Sequence, residues 1–317
     1  MRSRLARAAL ALFTIVGALV LAPAPRAAGP RVAVIKSSGA GPFAQATDAL
    51  LETLRASRLK PEVSIFDLEG EQAKAPAALL EVRRQEPALI ITVGSLAVGS
   101  VLKESWRAPV LFSMVLYPAQ SGFTARTGQA VGGVSLDIPL EVQFETLRRL
   151  LPRGQHIGVL YHPAETGEVI AAARPIAPRY GFTLDARRVD DPAEAIRVLD
   201  DLLEHVDAVW TVADSHVFTP QTTSPLILAA LRRRVPLFGI SPAQVRMGAL
   251  ATLACDYRDV GQQTAEVALR VLQGEANGAI PVATPRKVDL VLNLRTADHI
   301  GLSIAPELER KAAEVIR

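Results

Sequence analysis

Short apolar runs alternate with amphipathic segments along nearly the whole chain, and this alternation limits the possible folds more than any other feature. "RVAVIKS" is a β-branched run, and "GPFAQATDALLETLRAS" follows it with Ala46, Ala49, Leu50, Thr53 and Leu54 on one helical face. "EVSIFDL" precedes a helical "APAALLEVRRQ". "PALIITVG" is continuously apolar, as a strand buried on both faces requires, and "SLAVGSVLKES" and "APVLFSMVL" extend the rhythm as helix and strand. A βαβαβα order predicts a parallel sheet with helices on both faces. Paired glycines in "GQAVGGVSLDIP" interrupt it, after which "LEVQFETLRRLLP", "QHIGVLYH", "TGEVIAAARPIAPRYG", "FTLDARRVD", "DPAEAIRVLDDLLEHV", "DAVWTVAD", "SPLILAALRRR" and "VPLFGIS" repeat the alternation. Asp191 fits an N-cap, with Pro192 at the first helical position. The expectation is two similar α/β halves. The strand and helix in "ALATLACDYRDVGQQTAEVALRVLQGE", the strand "KVDLVLNL" and a terminal helical segment fit neither half, so the chain is expected to cross back between two lobes.

At 317 residues, with 49% hydrophobic and 21% charged, the chain has room for one large or two medium domains with packed cores. Much of the formal net charge of +3 comes from Arg2, Arg4 and Arg7, and nothing in the rest asks for a nucleic-acid partner. Those arginines precede an apolar run, Ala8 to Ala22, and a Pro/Ala-rich exit. This is the pattern of a cleaved secretory signal over residues 1–28; the run is short for a membrane anchor, which needs about 20 residues. Cys255 is the only cysteine, so no disulfide forms within the chain, and no cysteine near the end of the signal offers a lipid attachment point. The expected product is a soluble, unlipidated periplasmic protein in which Cys255 is a small buried hydrophobe.

Ligands of open parallel sheets bind beyond the carboxyl ends of the strands. The loops there begin at Lys36-Ser37-Ser38-Gly39, Gly94-Ser95 and Tyr117-Pro118 in the first half, and at Tyr161-His162, Asp214-Ser215-His216 and Ser241-Pro242 in the second. N–H groups at helix starts can hold a carboxylate, and Asp214 can face an amine or hydroxyl. Ser38, Ser95 and Ser241 also fit plain N-caps. "GAGPFA" has the G-x-G-x-x-A spacing of a dinucleotide fingerprint, but Lys36, Ser37 and Ser38 separate it from the strand, so no cofactor is expected. The five histidines show no ligand spacing, and no metal site is expected. No G-x-S-x-G elbow is present; a hydrolase would need Ser95 or Ser215 beside a distant His and acid, so no catalytic residue is assigned. Asp200-Asp201, Arg148-Arg149 and Arg232-Arg233-Arg234 read as solvated helix faces.

Four segments carry a family resemblance: "VGGVSLDIPLEVQFETLRRLLPRGQHIGVLYHP", "DAVWTVADSHV", "VPLFGISPAQVRMGALATLACDYRDVGQQTAEVALRVLQGE" and "LVLNLRTADHIGLSIAPELERKAAEVI". They resemble the ABC transporter substrate-binding proteins related to the tryptophan/tyrosine-binding lipoproteins, within the type I periplasmic binding proteins. The resemblance implies two Rossmann-like lobes with parallel sheets, 29–134 plus 256–287 and 135–255 plus 288–317, joined by a three-segment hinge and closing on ligand. It places the crossings at Gly132-Gly133, at Asp256-Tyr257 and near Lys287–Leu290. Ligand contacts are expected from Ser38, Gly39, Ser95, Tyr117, His162, Asp214, Ser215, Ser241 and Asp256, with Asp214 receiving an amino group and dispensable to the fold. The chain departs from its relatives at "KSSGAGPF" and at "SMVLYPAQSGF", where an Asp-Pro is usual. The implied function is a monomeric solute carrier, not an enzyme, that hands an amino acid or related carboxylate to an inner-membrane ABC permease. A sensory module for a membrane receptor is the first alternative, and a periplasmic hydrolase using the same cleft is the second. An export signal where a DNA-reading helix would be needed argues against a transcription regulator.

Overall fold

The computed structural model describes residues 29–124, 128–275 and 279–317; the signal-segment expectation lies outside them. The first half runs β1 (Arg31–Lys36), α1 (Gly41–Ala56), β2 (Glu62–Asp67), α2 (Ala75–Gln85), β3 (Leu89–Val93), α3 (Ser95–Val101), β4 (Val110–Val115) and β5 (Val131–Ser135). The second runs α4 (Leu140–Leu150), β6 (His156–Tyr161), α5 (Pro163–Ile176), β7 (Thr183–Arg188), α6 (Ala195–Leu202), β8 (Ala208–Trp210), α7 (Thr223–Arg232), β9 (Leu237–Gly239), α8 (Pro242–Met247) and β10 (Ala251–Cys255). The remainder supplies α9 (Tyr257–Leu272), β11 (Val282–Ala283), β12 (Val288–Asn293), α10 (Leu294–Ile300), α11 (Pro306–Lys311) and β13 (Glu314–Ile316).

Two sheets result, a six-stranded one ordered β11-β5-β4-β3-β1-β2 and a seven-stranded one ordered β13-β12-β10-β9-β8-β6-β7. All pairings are parallel except β10 with β12. Strand order reverses at β1/β3 in the first sheet and at β6/β8 in the second, which opens a crevice at the carboxyl end of each. β3 is buried at all five positions, as its unbroken apolar run requires. Helix α9 returns to the first sheet, where Val260, Ala265 and Ala268 share one core with Leu50 and Leu54 of α1. Asp191 does act as a cap, accepting the Ala193 amide at 2.9 Å.

The chain passes between the sheets at residues 136–139, at Asp256 and at residues 284–287. The first passage lies beyond the paired glycines, which sit inside β5 rather than at a crossing. Their requirement is close approach. A Cβ on Gly132 would stand 2.0 Å from the Ile280 carbonyl oxygen, and one on Gly133 2.0 Å from that of Phe112. The second and third passages are tied to each other. The Lys287 ammonium binds the Asp256 carboxylate, and the Asp256 amide donates to the Lys287 carbonyl at 3.3 Å.

Gly132→Ala should therefore cost about 1–3 kcal/mol through overpacking against backbone that cannot yield. Urea unfolding measures it; an unchanged midpoint would show that β5 can shift away from the Ile280 carbonyl at no cost.

Candidate ligand site between the lobes

Two adjoining cavities lie between the carboxyl ends of the two sheets. The first, about 350 Å³, is bounded by the loop after β4, by the first crossing from Leu136 to Pro139, by the ends of β8, β9 and β10, and by Tyr257 and Thr284 at the other crossings. The second, about 520 Å³, lies between Ser95 and Gln120 on one side and Glu165, Asp214 and Ser215 on the other. Leu116, Tyr117, Gln120, Ala213 and Ile240 line both.

Tyr117 spans the gap between the lobes. Its hydroxyl accepts the Ala213 amide at 3.2 Å, and its own amide donates to Asp137 Oδ1 at 2.8 Å. Its backbone has φ +48°, a left-handed conformation that a bulky side chain adopts at a cost of about 1–3 kcal/mol. The strand just before it is irregular too, with a register shift between Ser113 and Val115. Burial pushes the Tyr117 phenol up to about 12, and the charges of Asp137, Asp214 and Glu165 act in the same direction. The hydroxyl therefore stays protonated at neutral pH.

The first cavity is mostly apolar, walled by Leu136, Ile138, Val212, Phe238, Leu253 and neighbouring carbons. Its single acidic group is Asp137. Burial raises the Asp137 carboxyl above the usual range, although the Tyr117 amide and the Ser135 hydroxyl lower it. Among the described residues it has no salt-bridge partner. Against the expectation of a buried hydrophobe, Cys255 is only partly buried and lines the same space; burial followed by the Asp137 charge pushes its thiol up to about 12, which keeps it protonated. Trp210 donates from Nε1 to Gln143 at 2.8 Å, and Gln143 donates to the Ile138 carbonyl at 2.8 Å, which locks the first crossing onto the core of the second lobe.

The anticipated residues divide. Ser95, Tyr117, Asp214 and Ser215 line the cavities. Ser38 and Gly39 do not: Ser38 turns its hydroxyl to the Ala40 amide at 3.3 Å, and Gly39 packs beside Asp67 and Lys36. Ser241 is an N-cap of α8, accepting the Gln244 amide at 3.4 Å, while the Gln244 side chain accepts the Ile240 amide at 2.9 Å. Asp256 caps α9 through the Asp259 amide at 3.1 Å and lies outside both cavities, so of its two anticipated roles the structure displays only the one at a crossing. His162 stacks on His216 at 4.0 Å and donates its amide to Asp214.

Asp214 is only 1% exposed and its acceptor capacity is used. The His162 amide at 2.7 Å and the Thr166 hydroxyl at 2.5 Å reach one oxygen; the His216 amide at 3.0 Å and the Val217 amide at 3.1 Å reach the other. A ligand amine would have to displace one of them. The expectation that Asp214 is dispensable to the fold does not survive this geometry. Glu165 is occupied in a similar way, by the Ser215 amide and hydroxyl at 2.8 and 2.9 Å and by His216 Nδ1 at 2.9 Å. Burial opposes ionisation of Glu165, but the His216 and Ser215 donors hold its carboxyl below the usual range. Ser215 and His216 both address Glu165 and not each other, which is not the nucleophile–base contact of a hydrolase. Glu165, Asp214 and His216 come close enough to share a cation, but each is already engaged within the protein.

Two switch-point crevices, one per sheet, facing each other across a cavity that three chain crossings enclose define a two-lobed α/β binding protein of the type I periplasmic class. The profile of the family described as ABC transporter substrate binding protein matches residues 32–316. The chain belongs to that family. It is similar to the tyrosine-binding protein of Clostridioides difficile, at 22% identity over 200 residues, 61% of this chain and 57% of the relative. The chain thus matches just over half the length of that curated relative. Among solved structures it is similar to an ABC domain in complex with L-Trp from Streptococcus pneumonia (19% identity, TM-score 0.67, covering 91% and 100% of the two chains). It is also similar to a ligand-free, open substrate-binding protein with adhesive properties from Clostridium difficile (17%, TM-score 0.74, 90% and 99%). At those identities the likeness concerns the fold.

Asp214→Ala should lower stability by about 2–4 kcal/mol, because it strands four donors, two of them buried. Chemical denaturation of the solute-free protein is the check. A variant of full stability that bound solute poorly would return Asp214 to the ligand.

Proposed function

We propose that this protein is a solute-binding protein that encloses one small molecule between its lobes and delivers it to an ABC permease from the periplasmic side of the membrane. The observation that carries the reading is the apolar cavity of about 350 Å³ bounded by both lobes and by the crossings between them. Its size falls within the range of small-molecule sites. A solute touching both walls stabilises the closed arrangement by its differential affinity for it. The lobes are taken as 29–135 with 256–284, and 140–255 with 288–317, turning about the three crossings. No described helix is long and apolar enough to cross a membrane. The names of the relatives, one binding tyrosine and one holding L-Trp, support a solute with an amino group and an apolar body.

Native mass spectrometry of freshly purified protein should show one small molecule per chain, released unchanged on denaturation. A library of solutes that gave no stoichiometric binder by calorimetry would remove the reading. Tyr117→Phe tests closure. Losing the hydrogen bond to Ala213 should cost about 0.5–1.5 kcal/mol of closed-state stability and weaken solute binding several-fold. Small-angle scattering should show the variant more extended without solute; an unchanged scattering radius and affinity would mean that Tyr117 does not help hold the lobes together.

A further inference from the structure

We infer that the inter-lobe cavity is built for a monocationic amine with an apolar body and no carboxylate. The inference rests on the solute-binding reading and narrows it to one class of ligand, away from amino acids and acids.

The first observation is the charge on the wall. Among the described residues Asp137 is the only ionisable acid or base of the first cavity apart from Tyr117, Cys255 and Tyr257, and no Lys or Arg lines either cavity. The Asp137 carboxylate is met by the Tyr117 amide at 2.8 Å, one neutral donor for a group that can accept about four hydrogen bonds, while the Ser135 hydroxyl accepts the Asp137 amide at 3.2 Å. A half-buried carboxylate without a cation is costly, and a ligand ammonium supplies the missing charge. The thiol of Cys255 and the phenol of Tyr117, on the same wall, both feel the negative field of Asp137.

The second observation is where the donors go. A carboxylate in such a crevice is ordinarily held by free backbone N–H groups at strand and helix ends. Here the protein's own acceptors have taken several of the donors around the cavities. The Ala213 amide goes to the Tyr117 hydroxyl, and the Ile240 amide to Gln244. The Thr211 hydroxyl donates to the Phe238 carbonyl at 2.8 Å, and the Gln143 amide group to Ile138. The Ser215 amide goes to Glu165. The polar groups remaining on the first cavity, such as Gln120 and the Tyr257 hydroxyl, are neutral. Among the described residues, a carboxylate entering the first cavity would lose its water and meet the acid of Asp137 with no cation on the wall. The ammonium of an aryl or alkyl amine would meet Asp137 while its body lay against Leu136, Val212, Phe238 and Leu253.

The test uses ligand-stripped protein, calorimetry, and three bodies each carried as an amine, an amino acid and an acid: tryptamine, tryptophan and indole-3-acetate; phenethylamine, phenylalanine and phenylacetate; hexylamine, norleucine and hexanoate. For at least one body the amine should bind about tenfold or more tighter than both counterparts, a difference of about 1.4 kcal/mol or more. Asp137→Asn should remove that preference. It keeps an oxygen for the Tyr117 amide and removes a buried charge, so thermal unfolding without ligand should begin no lower than in the parent, which separates lost recognition from lost folding. An amino acid that equalled its amine would overturn the inference and would mean that the carboxylate passes Tyr117 to reach Ser95 on the second cavity. An amine preference that survived Asp137→Asn would also overturn it. If none of the nine compounds binds but another solute does, the amine class is wrong and the solute-binding reading stands; if no solute binds at all, both fall.

Discussion

The buried carboxylate of Asp214 is the interaction on which the geometry of the cleft depends. An ionised group removed from water needs donors in place of it, and Asp214 collects four from three segments: the turn after β6, helix α5 and its own loop after β8. The β6 and β8 ends flank the switch point of their sheet. Tying them together fixes the width of the crevice and holds Ala213, one residue earlier, where its amide faces Tyr117 of the other lobe. Ser37 does the same work opposite: its hydroxyl accepts the Ala97 amide at 3.0 Å, joining the β1 end to the start of α3 across the other switch point. The strand ends on both sides are thus tied within their own lobes, the preorganisation that low-cost recognition requires.

In the proposed closure what moves is the relation of the walls, and the crossings carry it. The second and third are stapled by Asp256 and Lys287, with Arg286 engaging Asp259 at 3.1 Å and Glu266 at 2.7 Å beside them. The Lys287 hydrogen bond holds the Asp256 carboxyl below its usual range. The staple is therefore intact above the ordinary carboxylate pKa and lost only as pH falls through the depressed one. The cations of these pairs are about half exposed and the pairs contribute little to global stability, so in the proposed closure their effect is to tie the second and third crossings together. The first crossing is different: it carries Asp137 into the cavity and is fastened to the second lobe through Gln143 and to the loop after β4 through Tyr117. Recognition and closure therefore share residues.

The α/β alternation, the parallel order and the return of the chain between halves were legible in the sequence because each rests on local periodicity. The unbroken apolar run of β3 and the capped start at Asp191 could be read residue by residue. The antiparallel entry of β12 could not, since nothing local distinguishes it from a parallel strand. Gly132 and Gly133 look like flexible points in sequence and are packing points in space, because their constraint comes from carbonyls of Ile280 and Phe112, remote or on a neighbouring strand. The polar strand ends were recognisable, but their assignments were not. Asp214 and Ser241 have the chemistry of ligand contacts and face inward, toward amides of their own lobe. Asp137, in the unremarkable "SLDIP", faces the cavity. A strand-end acceptor serves either a backbone N–H or a ligand, and only the positions of the competing donors separate the two.

That competition also bears on how a family with one architecture can take different solutes. Two acids of this cleft, Asp214 and Glu165, spend their charge on backbone amides and hydroxyls of their own lobe. Each amide so engaged is one fewer donor for an incoming anion. Asp137 receives fewer donors and keeps its charge directed at the cavity. Excluding an acid then requires no steric block. A desolvated carboxylate beside Asp137 is penalised where an ammonium is not, and because the two carry the same apolar body and gain the same burial, the charge decides between them. Selectivity of this kind is set by internal hydrogen bonds that never touch the ligand, so it can change when a strand-end acceptor is gained or lost while every wall of the cavity stays the same.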